Sequence, residues 1–532
     1  MPLKITRSER GRCLLLILLI GSLLFVYSLG STGLFDETPP LFAAAGRNMS
    51  SSGDWITPKV NGLNRFDKPP LIYWIMGVFY SLPGHNFWDP LGTWAARLPS
   101  ALSSIFMMLF LADTLLTYPQ KYCVKPQRTA IVTALAFALS PLVIIWSRIA
   151  VSDALLTATF GISMLQMWRR YSYPSLQSWW SPWLTLGISI LAKGPVSLVL
   201  MLMTFVIFGI HQREILQIWT RTKPLKGLAL TALVSLPWYI IEYVKEGKAF
   251  WDSFFGYHNF QRFTSVVNSH LEPWWFFILI LIIASLPFTA FLFYGLVEYF
   301  ISFGKKKEGF KEMSENSLIA FAGSWFISVF ILFTCAATKL PSYWLPATPA
   351  AAILIGIASS YSTKKNHNLQ FYAWISSVLT FFSLAIAFWL SPYWTLSIRD
   401  PEIPGLGVNL SESDLLQIIS YLLTLGFILG LIFLFKYRPD RLIILQIPMV
   451  LFYILGVIPL VGLGDKLRQL PLRNAADLVL KSQKKNEALA MVGPTKPSLH
   501  FYSRKIILYE GRSARAFVNL TERLSQEERI GW

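Results

Sequence analysis

The chain has 532 residues, of which 54% are hydrophobic, 15% aromatic and only 14% charged. This composition excludes an ordinary water-soluble protein, in which about a quarter of the residues are charged. The formal charge is +18, from 47 basic and 29 acidic residues. Because no soluble basic region is large enough to bind nucleic acid, we attribute much of the excess to basic cytoplasmic loops. The three cysteines imply no disulfide framework.

Apolar segments of about 20 residues recur along the chain, which is the length that crosses roughly 30 Å of hydrocarbon. We therefore predict an all-α polytopic membrane protein with about thirteen spans. The predicted spans are 13–30, 94–117, 129–146, 153–171, 179–193, 195–211, 226–244, 273–300, 318–335, 342–360, 371–391, 415–435 and 441–463. The first is interpreted as an uncleaved span, since no A-x-A-like cleavage site follows it.

With the N-terminus inside, every predicted inner loop is basic, as the positive-inside rule requires. An odd number of spans then places the C-terminus outside. The lysines in those loops include Lys121, Lys125, Lys305, Lys306, Lys307, Lys311, Lys364 and Lys365. Residues 1–463 are thus expected to form a transmembrane domain.

The first outer loop, residues 31–93, is long and polar, which is more typical of a functional loop than of a connection. Residues 71–83 are apolar but too short to cross the membrane. They predict a helix lying in the interface, and residues 36–50 are a candidate for a second one. We expect this loop to form a structured cap on the membrane surface.

Residues 179–211 are either one overlong helix or two short ones that meet at Lys193-Gly194-Pro195. Proline interrupts the hydrogen bonds of a helix, and glycine permits a turn. A lysine inside an apolar run is costly unless it reaches water or a partner. We favour two spans, with Lys193 at the outer surface.

Residues 464–532 follow the last span and are polar. The segments LRNAADLVLKSQ and PSLHFYS predict helices, and ALAMVG and KIILYE predict strands. This pattern indicates a small α/β domain. It is too short for an independent enzyme and contains no catalytic motif.

Carboxylates, cations and imidazoles gather on the outer face of this topology, and this mixture indicates an active site. The residues are Asp36, Glu37, Asp67, Lys68, Arg148, Asp153, Lys193, His258, Arg262, His270, Lys339 and Tyr343. The alternative is that outer loops collect the charges that spans reject. Taken singly, Asp36-Glu37 is equally consistent with a helix cap, and a lone His258 is more often an ordinary interfacial histidine.

The stretch DETPPLFAAAGRNMSSSGDWITPKVNGLNRFDKPPLIYW resembles the first outer loop of the bacterial aminoarabinose transferases that modify lipid A. These belong to a superfamily with the protein O-mannosyltransferases, which are membrane glycosyltransferases of type C fold that use polyprenyl-phosphate sugars. Similar stretches follow in the family's order: SRIAVSDALLTATF, LAKGP, FWDSFFGYHNFQRF, HLEPWW and ATKLPSYWLP. The resemblance covers most of the chain and implies about thirteen spans with a small external C-terminal domain.

The resemblance implies two catalytic carboxylates, Asp36 as the base that deprotonates the acceptor hydroxyl and Asp153 nearby, to orient the acceptor or the base. Direct displacement inverts the anomeric centre and needs no nucleophilic carboxylate. Cations would bind the anionic polyprenyl phosphate that leaves. The substrate-binding residues implied in this way are Glu37, Lys68, Arg148, Lys193, Arg262, Lys339 and Tyr343.

The chain departs from the family at its metal-associated positions. The residue before the matching lysine is usually Glu, and here it is Asp67; the later loop reads HNFQRF in place of HIQRF. The ligand types allow Zn²⁺ between Asp67 and His258, but two ligands do not complete a site.

The sequence thus predicts an inverting glycosyltransferase of the bacterial inner membrane, with its active site and C-terminal domain in the periplasm. It would move an aminoarabinose- or hexose-like sugar from polyprenyl phosphate to a lipid, glycan or protein acceptor. The alternative is a lipid-linked sugar transporter or flippase. Such proteins place ionisable residues near the bilayer midplane, on broken helices of repeated halves. The sequence shows no internal repeat.

Overall fold

The computed structural model describes residues 6–120, 123, 125–266, 271–303, 317–360, 367–403, 405–436, 438, 441–484 and 487–526. The basic residues Lys121, Lys305, Lys306, Lys307, Lys311, Lys364 and Lys365 of the predicted inner loops lie outside this range, as does His270.

Helices dominate the described residues. In the first half they are α1 (Arg7–Phe25), α2 (Thr38–Ser52), α3 (Leu71–Tyr80), α4 (His85–Trp88), α5 (Thr93–Thr117), α6 (Pro126–Ala138), α7 (Pro141–Ser147), α8 (Asp153–Ser172), α9 (Ser181–Lys193), α10 (Val196–Gln212), α11 (Ile215–Thr222), α12 (Pro224–Glu246), α13 (Lys248–Trp251) and α14 (Arg262–Thr264). A π-helix, Asp252–Gln261, joins the last two.

The second half continues with α15 (Phe276–Ala284), α16 (Thr289–Ser302), α17 (Leu318–Cys335), α18 (Thr348–Ser360), α19 (His367–Trp389), α20 (Ser391–Thr395), α21 (Leu406–Glu412), α22 (Leu415–Phe435), α23 (Ile443–Leu451), α24 (Ile458–Arg468), α25 (Leu470–Ser482), α26 (Pro497–Ser503) and α27 (Ala516–Gln526). A 3₁₀ segment, Pro341–Ala347, precedes α18, and a π segment, Phe452–Val457, precedes α24.

The expected polytopic helical architecture is confirmed. Within the described ranges, seven helical segments are long and apolar enough to cross a membrane, or nine if two bent pairs each count as one span. The count of thirteen is therefore not confirmed. The predicted spans 129–146 and 273–300 are each two helices, bent by 67° between α6 and α7 and by 113° between α15 and α16. Both bends have a proline at or next to the break, where the helical hydrogen bonds are interrupted.

The helices pack around a large apolar core. Trp168, Trp325 and Trp344 are fully buried in it. α6 and α18 approach closely at Gly356, where an added Cβ would lie 1.8 Å from the Thr133 hydroxyl. Small residues permit such close approach between membrane helices. This core supports the loops that carry the polar residues.

The first loop contains both predicted interfacial helices, as α2 and α3, which pack against each other. A short hairpin lies between them, with strand β1 (Lys59–Val60) antiparallel to β2 (Leu63–Asn64). Its turn residues Asn61 and Gly62 both have positive φ, 54° and 79°. Asn-Gly is a favoured sequence for such a turn. The chain leaving this hairpin leads directly to Asp67 and Lys68.

The C-terminal elements also match their predictions, as α25, β3 (Leu489–Val492), α26 and β4 (Ile507–Glu510). The two strands pair in parallel, with Leu489 opposite Ile507. These elements, together with the end of α24 and with α27, are called the C-terminal module below; it comprises the described residues from 464 to 526. The module packs against the first loop: Asn61 Nδ2 donates to the Ile507 carbonyl, and Asn61 Oδ1 accepts from the Ile507 N–H, both at 2.8 Å.

Candidate active site

The carboxylate of Asp67 is held by two residues of the first loop. Arg65 Nη2 donates to Oδ2 at 2.6 Å, and the Tyr73 hydroxyl donates to Oδ1 at 3.0 Å. Tyr73 can reach Asp67 because the Pro69-Pro70 turn starts α3 immediately afterwards. Burial would raise the pKa of Asp67, but the positive charge of Arg65, followed by that of Lys68, outweighs it and lowers this pKa to about 2. Asp67 is therefore ionised.

Lys68 lies among other cations. Its Nζ donates to the backbone carbonyl of Asp67 at 2.8 Å. Burial lowers the pKa of Lys68 to about 8, against the attraction of Asp67, and the charges of Arg262, Lys193 and Arg65 add to the lowering. These residues come from three separate parts of the chain. A group of cations that repel one another is a site for an anion.

Lys193, the last residue of α9, is paired with Asp153, the first residue of α8. Its Nζ lies 2.5 Å from Oδ1 of Asp153 and 5.6 Å from the centre of the Tyr343 ring. The predicted break is present: α9 ends at Lys193, Gly194 has φ of +98°, and α10 begins at Val196. Three sequence-predicted residues are thus brought together.

The π-helix and α14 carry His258 and Arg262. The Nδ1 atom of His258 and the Nε atom of Arg262 are buried and have no hydrogen-bond partner among the described residues. Burial and the charge of Lys68 lower the pKa of His258 to about 3, so its ring is neutral. The backbone N–H of Thr338 donates to the Arg262 carbonyl at 3.2 Å. This bond joins the two segments that carry Arg262 and Lys339.

Lys339 is only 8% exposed. In the part of the chain that the structure describes, its ammonium has no hydrogen bond or ion pair. Lys68, Lys193, Arg262 and Lys339 are called the cation cluster below.

Asp36 is held by the C-terminal module. Its Oδ1 accepts from the backbone N–H of Ser498 at 2.8 Å. Its Oδ2 accepts from the Ser498 hydroxyl at 2.8 Å and from Nε2 of Gln469 at 3.2 Å. Neighbouring Glu37 is exposed and occupies the N-cap position of α2 without a side-chain capping bond. Neither carboxylate is hydrogen-bonded to the cation cluster within the described residues.

A shared apolar cluster connects Asp36 with the cations. It contains Leu34, Tyr73, Val151, Ala192 and Phe501. Along the chain these residues stand beside or close to Asp36, Asp67, Asp153, Lys193 and Ser498. The segments that carry these polar groups therefore pack against one another, and this side-chain packing fixes the relative positions of the polar groups.

Arg148 is hydrogen-bonded to backbone carbonyls, and among the described residues no hydrogen bond or ion pair joins it to the cation cluster. Its guanidinium donates to the carbonyls of Leu24 and Tyr27, both at 2.9 Å. Leu24 lies in the last turn of α1 and Tyr27 just after it, where backbone carbonyls lack helical partners. Arg97 similarly binds the carbonyls of Leu29 and Thr32 at 2.8 Å. Arg148 is therefore a helix-capping residue.

The residues proposed for Zn²⁺ do not fit a zinc site. Both Asp67 oxygens already accept hydrogen bonds from protein donors, and the charged neighbours of His258 are three cations, Lys68, Arg262 and Arg65, besides Asp67. No group of three metal-ligating side chains occurs among the described residues. A structural zinc needs four ligands and a catalytic zinc three from the protein.

Sequence reasoning missed Tyr73, Gln469 and Ser498. Tyr73 could have been found, because it lies in the first turn of a predicted helix that starts just after Asp67. Gln469 and Ser498 are 433 and 462 residues from Asp36. Nothing in a single sequence signals a pairing at that separation.

Two families match parts of the chain. Residues 67–241 match the family described as dolichyl-phosphate-mannose-protein mannosyltransferase. Residues 482–531 match the C-terminal domain of the cyanobacterial RgtA-type glycosyltransferases. The first match contains Asp67, Lys68, Asp153 and Lys193, and the second contains Ser498.

Individual proteins agree with these matches. The chain is 26% identical over 357 residues to the undecaprenyl phosphate-alpha-4-amino-4-deoxy-L-arabinose arabinosyl transferase of Pseudomonas aeruginosa, covering 66% of this chain and 60% of that protein. It therefore spans about three fifths of that relative's length. An uncharacterized protein of Aquifex aeolicus is 29% identical over 382 residues, 70% of each chain.

Among solved structures, the chain is similar to ArnT from Cupriavidus metallidurans bound to undecaprenyl phosphate. The TM-score is 0.74, with 20% identity over 96% of this chain and 88% of that one. These comparisons confirm the resemblance predicted from the first loop, and they confirm the predicted helical membrane fold.

Proposed function

We propose that this chain, a glycosyltransferase of the superfamily that unites the aminoarabinose transferases with the protein mannosyltransferases, moves one sugar from a polyprenyl phosphate to a hydroxyl group. The acceptor is a lipid, a glycan or a protein. The observation that carries the proposal is the cation cluster. Lys193 and Arg262 lie close enough to Lys68 for their charges to lower its pKa, and Nε of Arg262 is buried with no hydrogen-bond partner among the described residues.

The cluster suits the leaving group of this reaction. The donor is a phosphodiester with one negative charge, and breaking the bond to the sugar places a second charge on the phosphate. Lys68, Arg262 and Lys339 stabilise that developing charge, because fixed cations in a site shielded from water act most strongly where charge grows. The undecaprenyl phosphate bound to the Cupriavidus protein supports this class of donor.

Asp153 and Tyr343 hold Lys193 in place beside the phosphate. The ion pair fixes the ammonium on one side, and the aromatic ring lies 5.6 Å from it on another. A lysine chain has many rotamers, so holding it before the donor arrives reduces the entropy lost on binding. Asp153 is thereby a positioning residue.

Asp36 acts as the base. Its carboxylate removes the proton from the acceptor hydroxyl as the oxygen attacks the anomeric carbon. Direct displacement inverts that centre, so no carboxylate needs to form a covalent intermediate. Exposed Glu37, next to the base, contacts the incoming acceptor.

We place the reaction at the periplasmic face of the bacterial inner membrane. The basic loops assigned to the cytoplasm support this orientation. The polyprenyl tail stays in the lipid and enters between spans, while the first loop covers the phosphate.

The test uses purified protein with a panel of radiolabelled polyprenyl-phosphate sugars. Free polyprenyl phosphate should appear only when membrane lipid extract or cell-envelope protein is added as acceptor. The control variant is Glu510→Gln, which breaks an ion pair with Arg523 in the C-terminal module. Donor binding without release for any sugar and any acceptor would contradict transfer and favour a transporter.

A further inference from the structure

We infer that Ser498 and Gln469 are positioning residues that orient the Asp36 carboxylate so that Oδ1 is the oxygen that receives the proton. The inference rests on the proposed function, because it takes Asp36 as the base. It gives the C-terminal module a part in the chemistry, although the module supplies no reacting atom.

The hydrogen bonds distinguish the two oxygens of Asp36. Each carboxylate oxygen has two lone pairs. Both on Oδ2 are used, by the Ser498 hydroxyl at 2.8 Å and by Nε2 of Gln469 at 3.2 Å. Among the described residues, Oδ1 accepts a single hydrogen bond, from the Ser498 N–H at 2.8 Å. One lone pair of Oδ1 therefore remains for the proton of the acceptor.

The two side chains that donate these hydrogen bonds to Asp36 are held in place by their burial. Ser498 and Gln469 are both fully buried, at 0% exposure. Oε1 of Gln469 has no hydrogen-bond partner among the described residues, so the only described partner of this amide is Asp36. A buried polar group aimed at one partner has few alternative positions.

The C-terminal module also contacts the residues that precede and follow Asp36. The backbone N–H of Leu34 donates to the Tyr502 hydroxyl at 2.8 Å, and that of Gly33 donates to Oδ1 of Asp465 at 2.6 Å. After Asp36, the guanidinium of Arg47 lies 4.2 Å from the centre of the Phe501 ring. α26 therefore cannot shift without moving the segment that carries the base.

Orientation of this kind affects the rate and not the binding of the donor. A base fixed at the attacking hydroxyl is already in a reactive geometry, and a displacement of about 1 Å can lower the rate a hundredfold. The donor is bound by the cation cluster, which has no hydrogen bond to Ser498 or Gln469 within the described residues. If Ser498 and Gln469 had a purely structural role, their substitution would instead lower the amount of folded protein or change both kcat and the KM for the donor.

The experiment compares Ser498→Ala with Ser503→Ala in the full-length protein. Ser503 is a second fully buried serine of α26, and its hydroxyl accepts from the Lys505 N–H. Ser498→Ala should lower kcat at least about tenfold while the KM for the donor stays within about twofold. Ser503→Ala should match the wild type. Ser498→Thr keeps the hydroxyl and should recover most of the lost kcat.

Gln469→Leu provides the second measurement, since it removes the other donor to Oδ2 and should also lower kcat with donor KM unchanged. Thermal unfolding of each variant establishes that the folded fraction is equal. A wild-type kcat in both Ser498→Ala and Gln469→Leu would overturn the inference, as would equal losses in Ser498→Ala and Ser503→Ala. Asp36→Asn separates the two proposals. If Asp36→Asn is fully active, Asp36 is not the base. If Asp36→Asn is inactive while Ser498→Ala has a wild-type kcat, only the positioning role is contradicted.

Discussion

Lys193 Nζ lies 2.5 Å from Oδ1 of Asp153, and the two side chains are only 15% and 12% exposed. The pair joins the end of α9 to the start of α8. Because each partner would be left as a poorly solvated charge without the other, the two residues form a unit. Their effects on function should therefore not be independent.

We expect Asp153→Asn and Lys193→Gln each to raise the KM for the polyprenyl-phosphate donor about tenfold. This change corresponds to a loss of about 1.4 kcal/mol in the free energy of donor binding. The double variant should lose little more than either single one, with a coupling energy of about 1 kcal/mol. Steady-state kinetics over a range of donor concentrations measure all three. Multiplied effects, about a hundredfold in the double variant, would show that the residues act separately.

Asp36→Asn should lower transfer by at least about a hundredfold, because general-base catalysis contributes 10² to 10⁴. The protein should still fold, since the substitution keeps the shape of the side chain. Product formation at saturating donor measures the loss, and Glu510→Gln, which breaks an ion pair with Arg523, is the control. Wild-type turnover in Asp36→Asn would eliminate the residue as base.

The kcat/KM for the donor should fall as the pH rises through about 8, where the lowered pKa of Lys68 lies. Below this pH the ammonium is charged and binds phosphate; above it the amine is neutral and the attraction is lost. The profile of kcat/KM reports groups of the free enzyme. Lys68→Arg should abolish this limb, because arginine stays charged. A limb near pH 8 that persists in Lys68→Arg belongs to another group.

Transfer should persist after treatment with EDTA and gel filtration. Asp67 already accepts hydrogen bonds on both oxygens from Arg65 and Tyr73, which leaves His258 without a second ligand beside it. The measurement compares the transfer activity of the EDTA-treated protein with and without added Zn²⁺. Loss on chelation and recovery with Zn²⁺ would mean that Asp67 exchanges these hydrogen bonds for a metal.

Local features of the fold could be predicted because their causes are local. Gly194 and Pro195 end α9 wherever the helix lies, and the strands and helices of the C-terminal module follow from short apolar patterns. The bend of 113° beside Pro287 could not be predicted, since proline occurs within membrane helices and the angle depends on neighbouring helices.

The same distinction applies to the site. Lys193 and Arg148 look alike in the sequence, as cations at the predicted outer ends of spans. The structure separates them, because Lys193 joins an ion pair near other cations while Arg148 caps α1. Which role a cation takes depends on whether unpaired carbonyls or like charges lie within reach, and only the fold determines this.

The bond between Asp36 and Ser498 joins residues 462 positions apart. At about 5 to 20 residues per second, a ribosome needs roughly 20 to 90 s to make the intervening chain. α1 and the first loop therefore emerge long before α26 exists. A nascent or prematurely terminated chain holds Asp36 without its hydrogen-bond donors, so the protein acquires a finished site only when its synthesis is nearly complete.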